Sequence, residues 1–232
     1  MSFASINPAT GEWLAEFEEW SDSQLESALG EAASAAPLWA ARPMTERCRL
    51  VRQAGTILSE RRERLARTAT EEMGKLYSEA LAEVDKCASV CEYYAENGPK
   101  FLADEMIDAD AGRSFVAYQP LGTVLAVMPW NFPLWQVMRF AAPALVAGNT
   151  GLLKHASNVP QCALLLEEVF TDAGFPPGVF RTLMISSRRV AAVIEDERVH
   201  AVTLTGSEFA GRQVAACAGA PSGFKRMSSL QK

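Results

Sequence analysis

After Gly122 the sequence alternates strictly between short apolar segments and longer amphipathic ones, and this alternation constrains the fold more than any other feature. The first apolar segment, residues 123–128, is apolar on both faces, which is typical of a strand buried in a parallel sheet. Parallel strands require crossover helices that cover the sheet, so we expect a doubly wound, Rossmann-like α/β fold. Strands are predicted at 123–128, 150–154, 179–185 and 200–204, and helices at 133–147, 160–173, 188–195 and 208–218.

A helical layer is predicted to precede this sheet. From Ser21 to Asp104 the sequence is rich in Ala, Glu, Arg and Leu, with apolar residues at three- and four-residue spacing. Ser21 is a predicted N-cap, and Thr45 is another, ahead of a helix over 46–64. We divide the chain into a helical layer of the cofactor-binding domain (1–112), an edge or oligomerisation strand (113–122), a Rossmann-like core (123–219) and a divergent tail (220–232).

Charge and hydropathy exclude two classes of partner. The 232 residues carry a net charge of −6, and no basic stretch is long enough to follow a phosphate backbone, so nucleic acid is not an expected partner. The longest apolar stretch, near residues 140–148, is shorter than the roughly 20 residues that a membrane-spanning helix needs. The N-terminus also lacks the regions of a secretory signal. We therefore expect a soluble, cytoplasmic protein.

Cysteine and histidine usage predicts no metal site. The five cysteines are an odd number scattered through predicted helices, which suits a reducing compartment rather than a disulfide framework. Only Cys87 and Cys91 share a helix face, and no nearby residue completes a tetrahedral set. We expect both to be small buried hydrophobes. Cys162 lies near a predicted helix start, where the dipole lowers a thiol pKa, but no base accompanies it.

The most informative motif is the Asn131 turn, Pro129-Trp130-Asn131-Phe132-Pro133, which ends the first apolar strand. In a parallel sheet the crevice beyond the carboxyl ends of the strands holds the ligand. An asparagine there can donate an amide N–H to an oxyanion. Equally, a turn asparagine can satisfy its own backbone, and the motif alone leaves both interpretations open.

Three further positions have a functional and a structural interpretation. Lys154 ends an apolar strand and is either a ligand contact or a lysine whose stem packs while its head reaches water. No Gly-x-Gly-x-x-Gly fingerprint is present, but Thr205-Gly206-Ser207 joins a strand to a helix and suits either a phosphate or a simple N-cap. Arg139 lies among apolar neighbours, where a structural ion pair is the usual explanation.

Three motifs in this order resemble the aldehyde dehydrogenase superfamily, and the succinate-semialdehyde dehydrogenase branch most nearly. The motifs are Ile6-Asn7-Pro8-Ala9-Thr10-Gly11-Glu12, Leu153-Lys154-His155-Ala156-Ser157-Asn158-Val159-Pro160 and Val202-Thr203-Leu204-Thr205-Gly206-Ser207. The resemblance implies NAD(P)-dependent oxidation of an aldehyde to a carboxylic acid, with a small-molecule aldehyde as substrate. It also implies homo-oligomerisation of the full-length form through a hairpin around residues 114–118.

The resemblance assigns a role to each candidate residue. Asn131 is expected to stabilise the oxyanion and Arg139 to contact the distal carboxylate of a substrate such as succinate semialdehyde. The expected contacts of the cofactor, NADP or NAD, are Pro129, Trp130, Lys154, Ser157, Gly206 and Ser207. Where the family commonly has a glutamate that accepts the ribose 2′-hydroxyl, this chain has Ser157. Without that carboxylate, Lys154 is left to pair with a 2′-phosphate, so NADP is expected to bind at least as well as NAD.

The family's nucleophilic cysteine and general-base glutamate motifs do not occur in this sequence. The family places the glutamate in a Leu-Glu-Leu-Gly-Gly motif soon after the last predicted helix, whereas the residues after Ala218 do not match the expected next strand. We therefore expect an N-terminal portion without the catalytic domain. The alternative is an inactive fragment that binds cofactor or other subunits without turnover.

Overall fold

A computed structural model describes residues 2–110, 112–220 and 225–231. The strands are β1 (Ser2–Ile6), β2 (Trp13–Glu18), β3 (Glu105–Ile107), β4 (Ser114–Val116), β5 (Thr123–Met128), β6 (Thr150–His155), β7 (Phe180–Thr182), β8 (Val199–Gly206) and β9 (Arg226–Gln231). The α-helices are α1 (Asp22–Ala40), α2 (Met44–Glu60), α3 (Arg62–Met73), α4 (Tyr77–Phe101), α5 (Trp135–Val146), α6 (Pro160–Asp172), α7 (Val190–Glu195) and α8 (Glu208–Ala218). A short 3₁₀ turn, Ser187–Arg189, precedes α7.

Five parallel strands form the main sheet, in the order β7-β6-β5-β8-β9. Counted from β5, this is the order 3-2-1-4-5 of a dinucleotide-binding fold, so the predicted α/β class is confirmed. The chain leaves β5 toward β6 and β7, then returns to the other side of β5 for β8. The topological switch point therefore lies between the carboxyl ends of β5 and β8, where such sheets bind ligands.

Helices cover both faces of the sheet, and two buried clusters show which residues point to each. The α5 face includes Ala126 and Leu153, which pack in a core with residues of α2, α4, α5 and α6. The α8 face includes Leu125 and Leu152, which pack with residues of α1, α7 and α8. Successive residues of a strand point to opposite faces of the sheet. The face of any other residue in these strands therefore follows from its distance in sequence to a residue of either cluster.

The N-terminal helices differ in detail from the predicted layer. α2 to α4 form a layer against α5 and α6, whereas α1 contributes mainly to the core of the α8 face. The Ser21 cap is confirmed, because its side chain accepts from the Gln24 backbone in a capping box. The Thr45 cap is wrong: the N-cap of α2 is Pro43, whose extended backbone begins the helix two residues earlier. The predicted 46–64 helix is also interrupted at Arg61, which caps the end of α2 and precedes the first residue of α3.

Strand predictions failed where pairing rather than local apolar character decides the structure. The residues after Ala218 do not match the family's expected next strand, yet Arg226–Gln231 forms β9 and pairs in parallel with β8. The predicted strand 179–185 is shorter, at 180–182. β3 and β4 form the antiparallel hairpin expected from the resemblance. The β1–β2 hairpin was not predicted. Residues 221–224 and 232 of the predicted tail lie outside the described residues.

Candidate active site

The carboxyl ends of three neighbouring strands bring the predicted residues to one edge of the sheet. Val127 of β5 pairs with Lys154 on one side and with Leu204 on the other. Lys154 and the end of β8 are therefore at one level of the sheet, about 10 Å apart across two strand spacings. The Asn131 turn follows β5 directly between them, and Ser207 follows β8. The predicted residues thus surround the switch point.

Asn131 makes no intramolecular hydrogen bond within the described part of the chain. Its side chain is half-buried, and its Oδ1 atom is buried without a partner. A turn asparagine that satisfied its own backbone would show such a bond. That interpretation therefore has no support in the structure, and the amide remains available to a ligand.

A buried carboxylate holds the residues that follow this turn. Glu83 of α4 accepts from the backbone N–H of Leu134 at 2.9 Å and of Trp135 at 2.8 Å, so it caps the N-terminus of α5. The same carboxylate forms an ion pair with Lys75, and both side chains are almost completely buried. Lys75 Nζ also lies 3.8 Å from the centre of the Phe132 ring. This pair was not among the predicted site residues, because its local sequence signal is only a charge on the apolar face of α4.

His155 holds the same segment from the opposite side. Its Nε2 atom lies 2.8 Å from the Pro133 carbonyl oxygen, and its Nδ1 atom accepts from the Ala156 N–H at 2.8 Å. Burial lowers the pKa of His155 to about 4, so the imidazole is neutral at neutral pH. With Nδ1 as acceptor, Nε2 carries the proton and donates to Pro133. His155 was not among the predicted site residues.

Lys154 is buried on the α8 face with no counter-charge. Its side chain is only 7% exposed, and in the described part of the chain it makes no hydrogen bond or ion pair. Burial lowers its pKa because the charged form loses hydration. Ser157, three residues later, is exposed just before α6. An unpaired buried cation at a strand end is unusual in a structural role.

The N-terminus of α8 lies on the same face as Lys154. Ser207 is its N-cap, and the Ser207 hydroxyl accepts from the Ala210 N–H at 3.3 Å. A Cβ on Gly206 would meet nothing nearer than Leu204, at 3.6 Å, so the surrounding protein does not require a glycine there. The acidic residue of this first turn, Glu208, is paired with Arg212, which offsets part of its charge.

The remaining predicted residues lie on either side of the turn. Pro129 is half-buried and Trp130 is 49% exposed. Arg139 lies in a cavity of about 420 Å³ between α5 and the sheet, where it donates to the Thr205 hydroxyl at 3.1 Å. It has no carboxylate partner among the described residues, so the structural ion pair considered for it is not observed.

The cysteines occupy structural positions. Cys87 and Cys91 are buried as expected, and burial raises the pKa of Cys91 to about 12. Cys162 is buried too, and burial together with the Glu72 carboxylate raises its pKa well above the ordinary thiol value. Glu72 occupies the N-terminus of α6 by accepting from the Cys162 N–H at 2.8 Å. The helix-dipole effect proposed for Cys162 is thus outweighed.

Within the ranges that the structure describes, no group of three or more metal-ligating side chains is present. None of the helices described is long and apolar enough to cross a bilayer.

Comparison with known proteins identifies the chain's relatives. The sequence profile of the Aldehyde dehydrogenase family matches residues 1–230, which includes most of the predicted divergent tail. A probable NADP(+) succinate-semialdehyde dehydrogenase of Synechocystis is 51% identical over 218 residues, which cover 94% of this chain and 48% of that protein. Succinate-semialdehyde dehydrogenase [NADP(+)] 1 of Mycobacterium tuberculosis is 50% identical, with 94% and 49% covered.

The fold comparison agrees. Succinic semialdehyde dehydrogenase from Streptococcus pyogenes, solved with NADP+, superimposes with a TM-score of 0.94 at 38% identity, covering 98% of this chain and 50% of that one. The chain spans about half the length of the relatives that it matches and corresponds to their N-terminal portion. The match over nearly every residue shows that the chain belongs to the aldehyde dehydrogenase family.

Proposed function

We propose that this chain is the cofactor-binding portion of an NADP-dependent aldehyde dehydrogenase that oxidises succinate semialdehyde or a similar short acid aldehyde. The observation that carries the proposal is Lys154, a buried cation without a counter-charge among the described residues, beside the switch point of a dinucleotide-binding sheet. A bound phosphate would supply the missing negative charge. It would also reverse the lowering of the Lys154 pKa that burial causes.

The dinucleotide is proposed to lie across the switch point on the α8 face. The Ser207 hydroxyl and the first N–H groups of α8, which lack intrahelical acceptors, suit a pyrophosphate. Gly206 leaves room for the phosphate to approach the backbone. Pro129 and the exposed ring of Trp130 would line the cofactor on the side of the Asn131 turn. When bound, the nicotinamide supplies the hydride acceptor for aldehyde oxidation.

Preference for NADP is proposed from the side chains near the ribose. Ser157 contributes no negative charge, so a 2′-phosphate meets no repulsion from that position. Lys154 can form a charge-assisted hydrogen bond with the phosphate. The relatives at about half identity are described as NADP(+) enzymes, which supports the same preference.

The substrate is proposed to reach the site from the α5 face. Arg139 has a hydroxyl partner and no described carboxylate partner, so its guanidinium can receive the distal carboxylate of an acid aldehyde. Asn131 would donate its amide N–H to the oxygen that becomes negative when a nucleophile adds to the aldehyde. Such a donor accelerates acyl-transfer reactions by about 100-fold or more when it is preorganised.

A second candidate function is cofactor binding without turnover. Cys48, Cys87, Cys91 and Cys162 are buried, and burial raises the pKa of each thiol. A nucleophilic cysteine instead needs an accessible thiolate, which these four positions do not offer; Cys217, on α8, is only partly buried. Formation of NADPH absorbance from the purified chain, NADP+ and succinate semialdehyde would favour the enzyme, whereas NADP+ binding without NADPH formation would favour this alternative.

Cofactor titration tests the binding proposal directly. NADP+ and NAD+ are titrated separately against tryptophan fluorescence of the chain, and NADP+ is expected to bind at least as tightly. Lys154→Met should weaken NADP+ by about tenfold or more, since it removes a charge-assisted contact. Ser157→Glu should weaken NADP+ selectively, and Ser157→Ala is the matched control that adds no charge. Clearly tighter binding of NAD+ to the unaltered chain would overturn the proposed preference.

A further inference from the structure

His155 connects the two parts of the proposed site through one side chain. It is the last residue of β6, next to Lys154, and its ring reaches across to the Pro133 carbonyl oxygen at the end of the Asn131 turn. Its second nitrogen accepts from the Ala156 N–H, which fixes the ring relative to β6 itself. Neither contact is needed for the sheet, because the β5–β6 pairing is complete without them.

The alternation of side chains along β6 shows which face of the sheet the His155 contact lies on. Lys154 and His155 are consecutive, so they point to opposite faces of the sheet. Leu152 packs in the core of the α8 face and Leu153 in that of the α5 face. Lys154 therefore points toward α8, where the cofactor is proposed, and His155 toward the turn and α5. A displacement of the turn relative to β6 would change the distance between Asn131 and Lys154.

Opposing contacts hold the backbone immediately after Asn131. His155 donates to the carbonyl of Pro133, and Glu83 accepts from the N–H groups of Leu134 and Trp135. Three consecutive residues are thus fixed by two buried side chains, while the Asn131 side chain itself has no bond within the described residues. This arrangement orients a ligand-binding amide through its backbone and leaves the amide free.

Imidazole suits this position because the two contacts need one donor and one acceptor on a rigid ring. A neutral histidine provides both, whereas a protonated one has no acceptor for the Ala156 N–H. Burial keeps the ring neutral, with a pKa of about 4. A glutamine at this position could supply the donor at a similar reach, and a methionine of the same length could not.

We propose that His155 is a positioning residue that fixes the Asn131 turn relative to Lys154, so that one dinucleotide can contact both. This inference rests on the cofactor site proposed above. A ligand that spans both parts should therefore depend on His155, and a ligand that contacts only the Lys154 side should not.

The test compares His155→Met with His155→Gln in the complete chain. NADP+ spans the site, and adenosine 2′,5′-bisphosphate carries only its 2′-phosphate end. His155→Met should weaken NADP+ by about 5- to 10-fold, the loss expected of one buried hydrogen bond, and leave the bisphosphate nearly unchanged. His155→Gln should restore most of the NADP+ affinity. Unchanged NADP+ affinity in His155→Met, or equal weakening of both ligands, would overturn the proposal.

A readout without ligand separates this inference from the proposed function. The chain is labelled with 5-fluorotryptophan, and the Trp130 signal is assigned with a Trp130→Phe variant. The signal should move in His155→Met and return toward its original position in His155→Gln, even if the unaltered chain binds no NADP+. If His155→Met does not fold, the imidazole ¹⁵N spectrum of the unaltered chain decides. A proton on Nε2 and none on Nδ1 supports the link, and the opposite tautomer refutes it.

Discussion

The buried Lys75–Glu83 pair allows a quantitative prediction about the structure around the Asn131 turn. The Lys75→Met substitution keeps most of the side-chain volume but leaves the Glu83 carboxylate, 2% exposed, without its cation. Breaking a buried ion pair by removing one partner typically costs about 3–5 kcal/mol. The Leu134 and Trp135 N–H groups remain as donors to the carboxylate, so we expect the lower part of that range, about 3 kcal/mol.

Removing both charges should cost less than removing either one. In the double variant Lys75→Met/Glu83→Gln, the glutamine carbonyl oxygen can still accept from the two N–H groups of α5, and no unpaired buried charge remains. We expect a cost of about 1–2 kcal/mol, which makes the two substitutions strongly non-additive. A Glu83→Leu variant should be less stable than Glu83→Gln, because it also leaves both N–H groups without an acceptor.

Urea unfolding followed by far-ultraviolet circular dichroism measures these differences. The matched control is Arg62→Met, which removes the cation of the exposed Arg62–Asp85 pair that also reaches α4. That change should shift the midpoint far less, because exposed pairs contribute little to stability. A Lys75→Met midpoint equal to that of the control, or purely additive effects in the double variant, would refute the reasoning.

Three further predictions concern titration, thiol access and the cofactor turn. Because the unfolded His155 has a pKa near 6.5 and the folded one about 4, the unfolded state binds the proton first as pH falls. As pH falls from 6.5 to 4, the free energy of unfolding of the unaltered chain should therefore decrease by up to about 3 kcal/mol relative to that of His155→Gln. Parallel pH profiles of the two proteins in urea unfolding would contradict this. A thiol reagent should label Cys217 quickly and the four buried cysteines only after unfolding; rapid labelling of a second thiol would show that burial is incomplete. Gly206→Ala should weaken NADP+ while leaving the thermal midpoint nearly unchanged, since the added Cβ would meet no protein atom nearer than 3.6 Å; a large fall in the midpoint would point to a structural role instead.

The fold could be predicted from the sequence where burial determines both the local residue pattern and the strand itself. Residues 124–128 and the Leu152-Leu153 pair before Lys154 are apolar because their strands are buried on both faces, and this is readable from the sequence. β9 has no such pattern: Arg226–Gln231 becomes a strand because β8 offers it a parallel edge. A local sequence pattern does not reveal this strand, because its pairing with β8 is a long-range interaction.

The same distinction applies to the site. The positions of Asn131, Lys154 and Ser207 followed from the sequence, because the carboxyl ends of parallel strands share one edge. The residues that hold the turn did not, because Glu83 and His155 reach it across 51 and 22 residues of sequence, respectively. Periodicity places such side chains on a buried face, but it does not show which distant backbone groups lack a partner.

The most direct test of the account is an amide ¹H–¹⁵N map of the chain titrated with NADP+, because it reports where the dinucleotide binds. We expect the largest shifts at Trp130 and Asn131, around Lys154 to Ser157, and at Gly206 and Ser207, all at the carboxyl edge of the sheet. Shifts that map elsewhere, with these residues unchanged at saturation, would contradict the proposed cofactor site.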